Sequence, residues 1–197
     1  MTKSDFFSGI SASWDEQHSS PEEQEKLRRF AGHFRLRPGD RVLDAGCGSG
    51  RLIPLICEAV GPQGSLVELD FAPGMLEIGR KKARGLRVTF VAGDAHDLPF
   101  ANGDFDKVIA LALLPHLDDR GAAMKEFRRV LKPNGLLVIA HQLGREALDR
   151  LHNESSEPVR RDRLPEKPVL AGLLATAGFI SCEIIDEPGQ YVAWALA

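Results

Sequence analysis

A doubly wound α/β fold, with a seven-stranded, mostly parallel sheet and helices on both faces, is predicted for this 197-residue chain. Three observations carry the prediction. Short apolar runs alternate with segments of helical length, as in successive βαβ units. The runs are apolar almost throughout, as in Val108-Ile109-Ala110-Leu111 and Leu136-Leu137-Val138-Ile139-Ala140, which suits parallel strands buried on both sides. The last two runs are separated only by Glu187-Pro188-Gly189, too short for a parallel crossover, so the sheet ends in an antiparallel hairpin.

Each element has a local reason. Residues 1–20 are polar with Phe6, Phe7 and Trp14 interspersed, and read as a mobile, irregular N-terminal arm that packs on the fold or forms part of a lid. Pro21 followed by Glu22, Glu23 and Glu25 opens a helix to about 34, since proline suits the first helical turn and acids complement the dipole there. The turn Arg37-Pro38-Gly39-Asp40 leads into a strand at 41–45. A helix at about 50–60 precedes a strand at 65–70, and a helix at 73–84 precedes a strand at 87–92. A strand at 105–111, a helix at 119–131 and a strand at 135–141 follow. After a helix at about 167–177, strands at 179–186 and 190–196 form the terminal hairpin. Residues 144–167, rich in charge and proline, are expected to be a substrate-facing insertion within one domain spanning 1–197.

Composition narrows the function. Twenty-five basic against 28 acidic residues, a net charge of −3, argue against a nucleic-acid binder that neutralises phosphates over a broad basic face. Arg80-Lys81-Lys82-Ala83-Arg84 and residues 125–129 then read as solvated helix faces. Cys47, Cys57 and Cys182 form no CxxC pair and suggest a reduced compartment, with neither a disulfide framework nor a bound metal. The first residues lack the apolar core of a signal peptide, and no apolar run approaches the roughly 18 residues of a membrane span. A cytoplasmic location is the expectation.

The chemistry gathers at one edge of the expected sheet. Asp44-Ala45-Gly46-Cys47-Gly48-Ser49-Gly50 ends the first strand and starts the next helix, so its glycines let backbone approach a ligand closely. A dinucleotide fingerprint, GxGxxG, would need glycine where Arg51 or Ile53 stands. A carboxylate beside the loop repels a pyrophosphate and suits an ammonium group. Asp70 ends the second strand, placed to accept from two ribose hydroxyls, and Gly93-Asp94-Ala95 ends the third. The fourth and fifth strands end in the Leu111–His116 segment and at His141. Ligands of open α/β sheets bind outside the carboxyl ends of the strands, so this edge predicts a ligand with hydroxyls, an amine and positive charge.

Four ordered motifs resemble those of class I S-adenosylmethionine-dependent methyltransferases, with the UbiE-like (methyltransferase type 11) branch the nearest. They are Val42-Leu43-Asp44-Ala45-Gly46-Cys47-Gly48-Ser49-Gly50, Leu69-Asp70-Phe71-Ala72-Pro73-Gly74-Met75-Leu76, Gly93-Asp94-Ala95 with Leu98-Pro99-Phe100, and Arg129-Val130-Leu131-Lys132-Pro133-Asn134-Gly135. The resemblance covers about residues 10–140. It implies S-adenosyl-L-methionine as cofactor, S-adenosyl-L-homocysteine as product, and a small-molecule methyl acceptor, with a quinone-like ring suggested by the nearest branch. It also implies that Gly46, Cys47, Gly48 and Gly50 line the methionine and ribose portion, with Asp44 orienting it. Asp70 would hold the ribose hydroxyls, Phe71 and Met75 would pack on adenine, and Asp94 and the Ala95 amide would meet the adenine edge. The Leu111 backbone would lie near the methionine amine.

A carbon or oxygen nucleophile also needs a base. His116 and His141 are the catalytic candidates, because both follow strand ends beside the expected methyl position. His152 would be carried away from His141 along a helix from Gly144 unless that helix folds back, which disfavours a three-histidine metal site. The alternatives are a non-catalytic S-adenosylmethionine-binding or partner-binding module and, with less support, an NAD-dependent oxidoreductase.

Overall fold

The computed structural model describes residues 2–155 and 157–197. Seven strands form one sheet: β1 (Arg41–Ala45), β2 (Ser65–Asp70), β3 (Val88–Ala92), β4 (Phe105–Leu111), β5 (Leu131–His141), β6 (Ser181–Glu187) and β7 (Gln190–Leu196). Their spatial order is β3-β2-β1-β4-β5-β7-β6. The first five pair in parallel, and β7 runs antiparallel between β5 and β6. After β3 the chain crosses back to lay β4 against the other side of β1. This reversal of winding opens a crevice beyond the carboxyl ends of β1 and β4.

Among the described residues, seven α-helices accompany the sheet: α1 (Lys3–Gln17), α2 (Pro21–Phe30), α3 (Ile53–Val60), α4 (Pro73–Lys82), α5 (Arg120–Val130), α6 (Arg145–Glu154) and α7 (Lys167–Thr176). Two apolar clusters cover the two faces. One joins Leu43, Val67, Phe105 and Val108 to Phe127 of α5 and Leu170 of α7. The other joins Val42, Leu66, Ile109 and Val138 to Ile53 and Ile56 of α3. Burial on both faces is why these strands read as continuous apolar runs. No helix among the described residues is long and apolar enough to cross a membrane.

Several boundaries shift by a few residues, and two differences change the picture of the fold. Strand β5 begins at Leu131, not 135. Leu131 pairs with Phe105 before a bulge, and Asn134 takes a left-handed backbone (φ 63°), so the ladder continues through the Lys-Pro-Asn-Gly turn. The larger difference lies at the N-terminus. Residues 3–17 form a helix, α1, not an irregular arm. Thr2 and Asp5 make a capping box: the Asp5 amide donates to Thr2 Oγ1 at 3.1 Å, and the Thr2 amide donates to Asp5 Oδ2 at 3.1 Å. Phe6, Phe7, Ile10 and Trp14 then fall on one side and turn inward over the crevice.

Candidate active site

The glycine turn is built by backbone bonds to the neighbouring strand. The Gly46 and Cys47 amides both donate to the Leu69 carbonyl, at 2.8 and 3.0 Å. Gly46 sits at φ 69°, which a side chain tolerates poorly, and a Cβ there would lie 2.7 Å from Leu113 Cδ1. Glycine is therefore required by both backbone and space. Gly48 faces the crevice beside Met75. Gly50 stands behind the turn, where a Cβ would lie 3.1 Å from the Gly79 Cα of α4, and it supports the loop without lining the cavity.

Three buried carboxyls stand on one patch of the sheet. Asp44 and Glu68 are register partners on β1 and β2, and Asp70 follows Glu68 by two residues, hence on the same face. Asp70 accepts from the Gly48 amide and from the Ala72 amide, each at 2.8 Å. Burial pushes its carboxyl up against those amides, which favour the charged form. Asp44 Oδ1 and both Glu68 oxygens are buried with no partner among the described residues. Burial, then the neighbouring acid charges, push Asp44 and Glu68 well above the ordinary carboxylate range. The Cys47 thiol beside them is pushed up for the same reasons, so it stays protonated and a poor nucleophile.

A cavity of about 830 Å³ opens in front of this patch. Asp44, Gly46, Cys47, Gly48, Asp70, Phe71, Met75 and Leu111 border it, as do His116 and His141. Ala112, just past β4, adopts φ 57°, an uncommon conformation for alanine, which turns the chain so that Leu113 packs over Gly46. Asp94 and Ala95 border an adjoining cavity of about 410 Å³, which shares Gly46, Asp70, Phe71 and His116 with the first. Asp94 also accepts from the His96 ring, whose Nε2 accepts from the Asp119 amide at 3.2 Å. The two cavities thus flank Asp70 and Phe71.

Helix α1 covers the crevice and is tied down along its length. Ser4 Oγ donates to the Phe71 carbonyl at 2.9 Å, and the Phe7 ring meets the Phe71 and His116 rings edge-on at 6.1 and 5.0 Å. Further along, Asp15 accepts from Ser49 Oγ at 2.6 Å and pairs with Lys82. Lys3 Nζ donates to the His116 carbonyl at 2.9 Å and to Asp162 Oδ1 at 3.1 Å.

The histidines differ in role. The Leu143 amide donates to His141 Nδ1 at 3.0 Å, so the neutral ring carries its proton on Nε2. Burial, with the nearby His116 and His152, pulls His141 down to about 4. His116 Nδ1 meets Asp162 Oδ2 at 2.7 Å, and burial, only partly offset by Asp162, holds His116 below its ordinary value. Helix α6 does fold back: His152 lies with its ring 5.4 Å from that of His116, and its Nδ1 contacts the Asp162 carbonyl at 2.7 Å. Even so, no cluster of three metal-ligating side chains occurs among the described residues.

Three groups escaped sequence reasoning. Asp162 meets His116 across 46 residues, a pairing that only the tertiary fold creates. Glu68 sits mid-strand with nothing around it in sequence to mark it. Arg51 stood out only as a missing glycine, yet it borders the cavity with its Nε buried and unpartnered among the described residues. For α1, the signal was present in Thr2-x-x-Asp5 followed by apolar residues at 7, 10 and 14.

Residues 42–135 match the family model described as a methyltransferase domain. The chain is 35% identical over 136 residues to demethylmenaquinone methyltransferase of Staphylococcus carnosus (strain TM300), covering 67% of this chain and 56% of that protein. It is 39% identical over 119 residues to the enzyme of the same name from Staphylococcus aureus (strain JH9), covering 59% and 49%. The chain therefore spans about half the length of these relatives. Among solved structures, an S-adenosylmethionine-dependent methyltransferase from Aquifex aeolicus superposes with a TM-score of 0.75 at 21% identity, over 93% of this chain and 97% of that one. A chain of the complex between the Haloferax volcanii Trm112 methyltransferase activator and a methyltransferase superposes with a TM-score of 0.79 at 19% identity, over 97% of each. These two likenesses concern the fold.

Proposed function

We propose that the protein transfers a methyl group from S-adenosyl-L-methionine to a small, largely apolar acceptor, leaving S-adenosyl-L-homocysteine. The observation that carries this reading is Asp44 Oδ1, buried without a partner at the floor of the cavity. A buried acceptor atom of that kind costs roughly 1–3 kcal/mol unless a ligand donor or cation meets it. The cofactor's ammonium group and diol fit an edge carrying Asp44 and Asp70, and a pyrophosphate does not.

The residues that would hold the cofactor follow from their places. Gly46, Cys47 and Gly48 present backbone to its amino-acid and ribose portions, with Leu111 beside them and Gly50 bracing the turn. Asp70 keeps lone pairs free on both oxygens for the ribose hydroxyls. Phe71 and Met75 offer apolar faces to adenine, and Asp94 with the Ala95 amide supplies polar partners at its edge. Arg51 offers a guanidinium to the carboxylate. When bound, the cofactor supplies an electrophilic methyl carbon on a sulfonium, a chemistry that belongs to the cofactor and not to the protein.

The chain's own contribution is alignment, exclusion of water and handling of a proton. Phe6, Phe7, Ile10 and Trp14 of α1, together with Leu143, Leu148, Leu151 and Val159, make the acceptor side apolar. Leu148, Leu151, His152, Ser155 and Val159 bring the 144–167 segment to that side, which supports a substrate-facing role. His141, neutral and protonated on Nε2, serves as a hydrogen-bond donor to the acceptor. The apolar lining and the demethylmenaquinone methyltransferases among the relatives favour a quinol-like ring. An acceptor screen with methyl-labelled S-adenosylmethionine, comparing reduced naphthoquinones, simple phenols and thiols, tests this. Label is expected on a quinol or phenol. Cofactor binding with label passing to no acceptor would favour a non-catalytic module.

A further inference from the structure

The two nitrogens of His116 are held unequally, and the group that makes them so comes from an unexpected part of the chain. A carboxylate only accepts, so the 2.7 Å contact between His116 Nδ1 and Asp162 Oδ2 puts the ring proton on Nδ1. The second oxygen, Oδ1, accepts from Lys3 Nζ at 3.1 Å, and the same ammonium donates to the His116 carbonyl at 2.9 Å and to Asp118 Oδ1 at 2.8 Å. Both Asp162 oxygens are therefore engaged, and the carboxylate is fixed from two sides. His152 donates from Nδ1 to the Asp162 carbonyl at 2.7 Å, bracing the same residue through its main chain. Phe7 stands edge-on to the imidazole at 5.0 Å and blocks its rotation. Among the described residues no group bonds His116 Nε2, and His116 borders both cavities.

The geometry points to Asp162 as a positioning residue that locks His116 in the Nδ1–H tautomer and leaves Nε2 to take the proton of a hydroxyl on the methyl acceptor. This deepens the methyl-transfer reading and rests on it for the acceptor's place in the cavity. In the step, the acceptor's O–H bond breaks and an Nε2–H bond forms. The O–H electron pair stays on the acceptor as the nucleophilic anion, and the imidazolium charge is offset by Asp162. Lowering His116 by burial keeps Nε2 unprotonated at neutral pH, as a base requires. The charged and titratable groups facing the ring are Asp162 from the loop before α7, Lys3 from α1, His152 from α6 and His141 from β5. The acceptor class that fits is an ionisable hydroxyl, a phenol or quinol, and not an amine.

Nitrogen-15 correlation spectra of the histidine rings in the intact chain test the assignment without an acceptor. In the wild type, His116 is expected to show Nδ1 protonated and Nε2 bare. In Asp162→Ala the signals should shift toward the Nε2–H form. Asp162→Asn, whose amide oxygen still accepts from Nδ1–H, should keep the tautomer and lower the titration midpoint of His116, because the opposing charge is gone. It also serves if the alanine variant does not fold. A wild-type ring protonated on Nε2, or the same tautomer in Asp162→Ala as in wild type, overturns the proposal. Calorimetry with S-adenosylhomocysteine separates the two readings. Affinity within about twofold of wild type is expected for both variants, since Asp162 bonds Lys3, His116 and His152 and none of the residues assigned to the cofactor. Failure of the wild type to bind S-adenosylhomocysteine would count against the cofactor reading, whereas the tautomer is measured in the unliganded chain.

Discussion

At the scale of single residues, the glycine turn and the acids behind it make opposite demands. Gly46 has no room for a side chain, so Gly46→Ala combines a left-handed alanine with a collision against Leu113. The expected cost is about 1–2 kcal/mol of stability, read by denaturant unfolding, with weaker cofactor binding. Glu68 is the reverse case, a carboxyl that nothing in the described residues partners. Its pKa is raised in the folded state by burial and then by Asp44. A raised acid binds its proton more tightly when folded, so its contribution is fully present below the unfolded carboxyl pKa. It is lost as pH rises through the folded value. Glu68→Gln cannot ionise, so the variant should lose less stability than wild type between acidic and neutral pH. Identical pH slopes in thermal unfolding would show that Glu68 is not the group responsible.

At the scale of elements, the parallel strands and their helices were legible because burial on both faces leaves an unbroken apolar run, whereas α1 showed only its capping box and a few spaced apolar residues. Its apolar residues are few and its polar ones many, and its order comes from contacts that sequence does not display: Ser4 with Phe71, Asp15 with Ser49 and Lys82, Lys3 with Asp162. The acid- and glycine-lined edge was legible because strand ends in a parallel sheet converge by topology. The partner of His116 was not, since Asp162 lies in an irregular segment whose path depends on α6 folding back. Phe7 joins the two regions, touching both Phe71 and His116. Phe7→Ala should weaken the seating of α1 by about 1–2 kcal/mol, from lost edge-to-face contact and buried area. Amides of residues 3–17 would then exchange roughly 5–30 times faster. Unchanged exchange would mean that the polar ties alone hold the helix.

At the scale of the whole molecule, the reversal of winding between β1 and β4 puts an acidic, glycine-floored edge beneath an apolar roof. The small net charge of −3 hides this arrangement, because the acids that matter are buried at one place. The polar lining of the cavity comes from the sheet edge, and much of its apolar lining from α1, α6 and the segment that follows. Calorimetric titration with S-adenosylhomocysteine and with NAD, on the wild type and on Asp70→Ala, tests the cradle most directly. One equivalent of S-adenosylhomocysteine should bind the wild type and NAD should not. Asp70→Ala should lose about 1–3 kcal/mol of that affinity, or roughly 5- to 150-fold. Binding of NAD, or the same S-adenosylhomocysteine affinity with and without Asp70, would contradict the account.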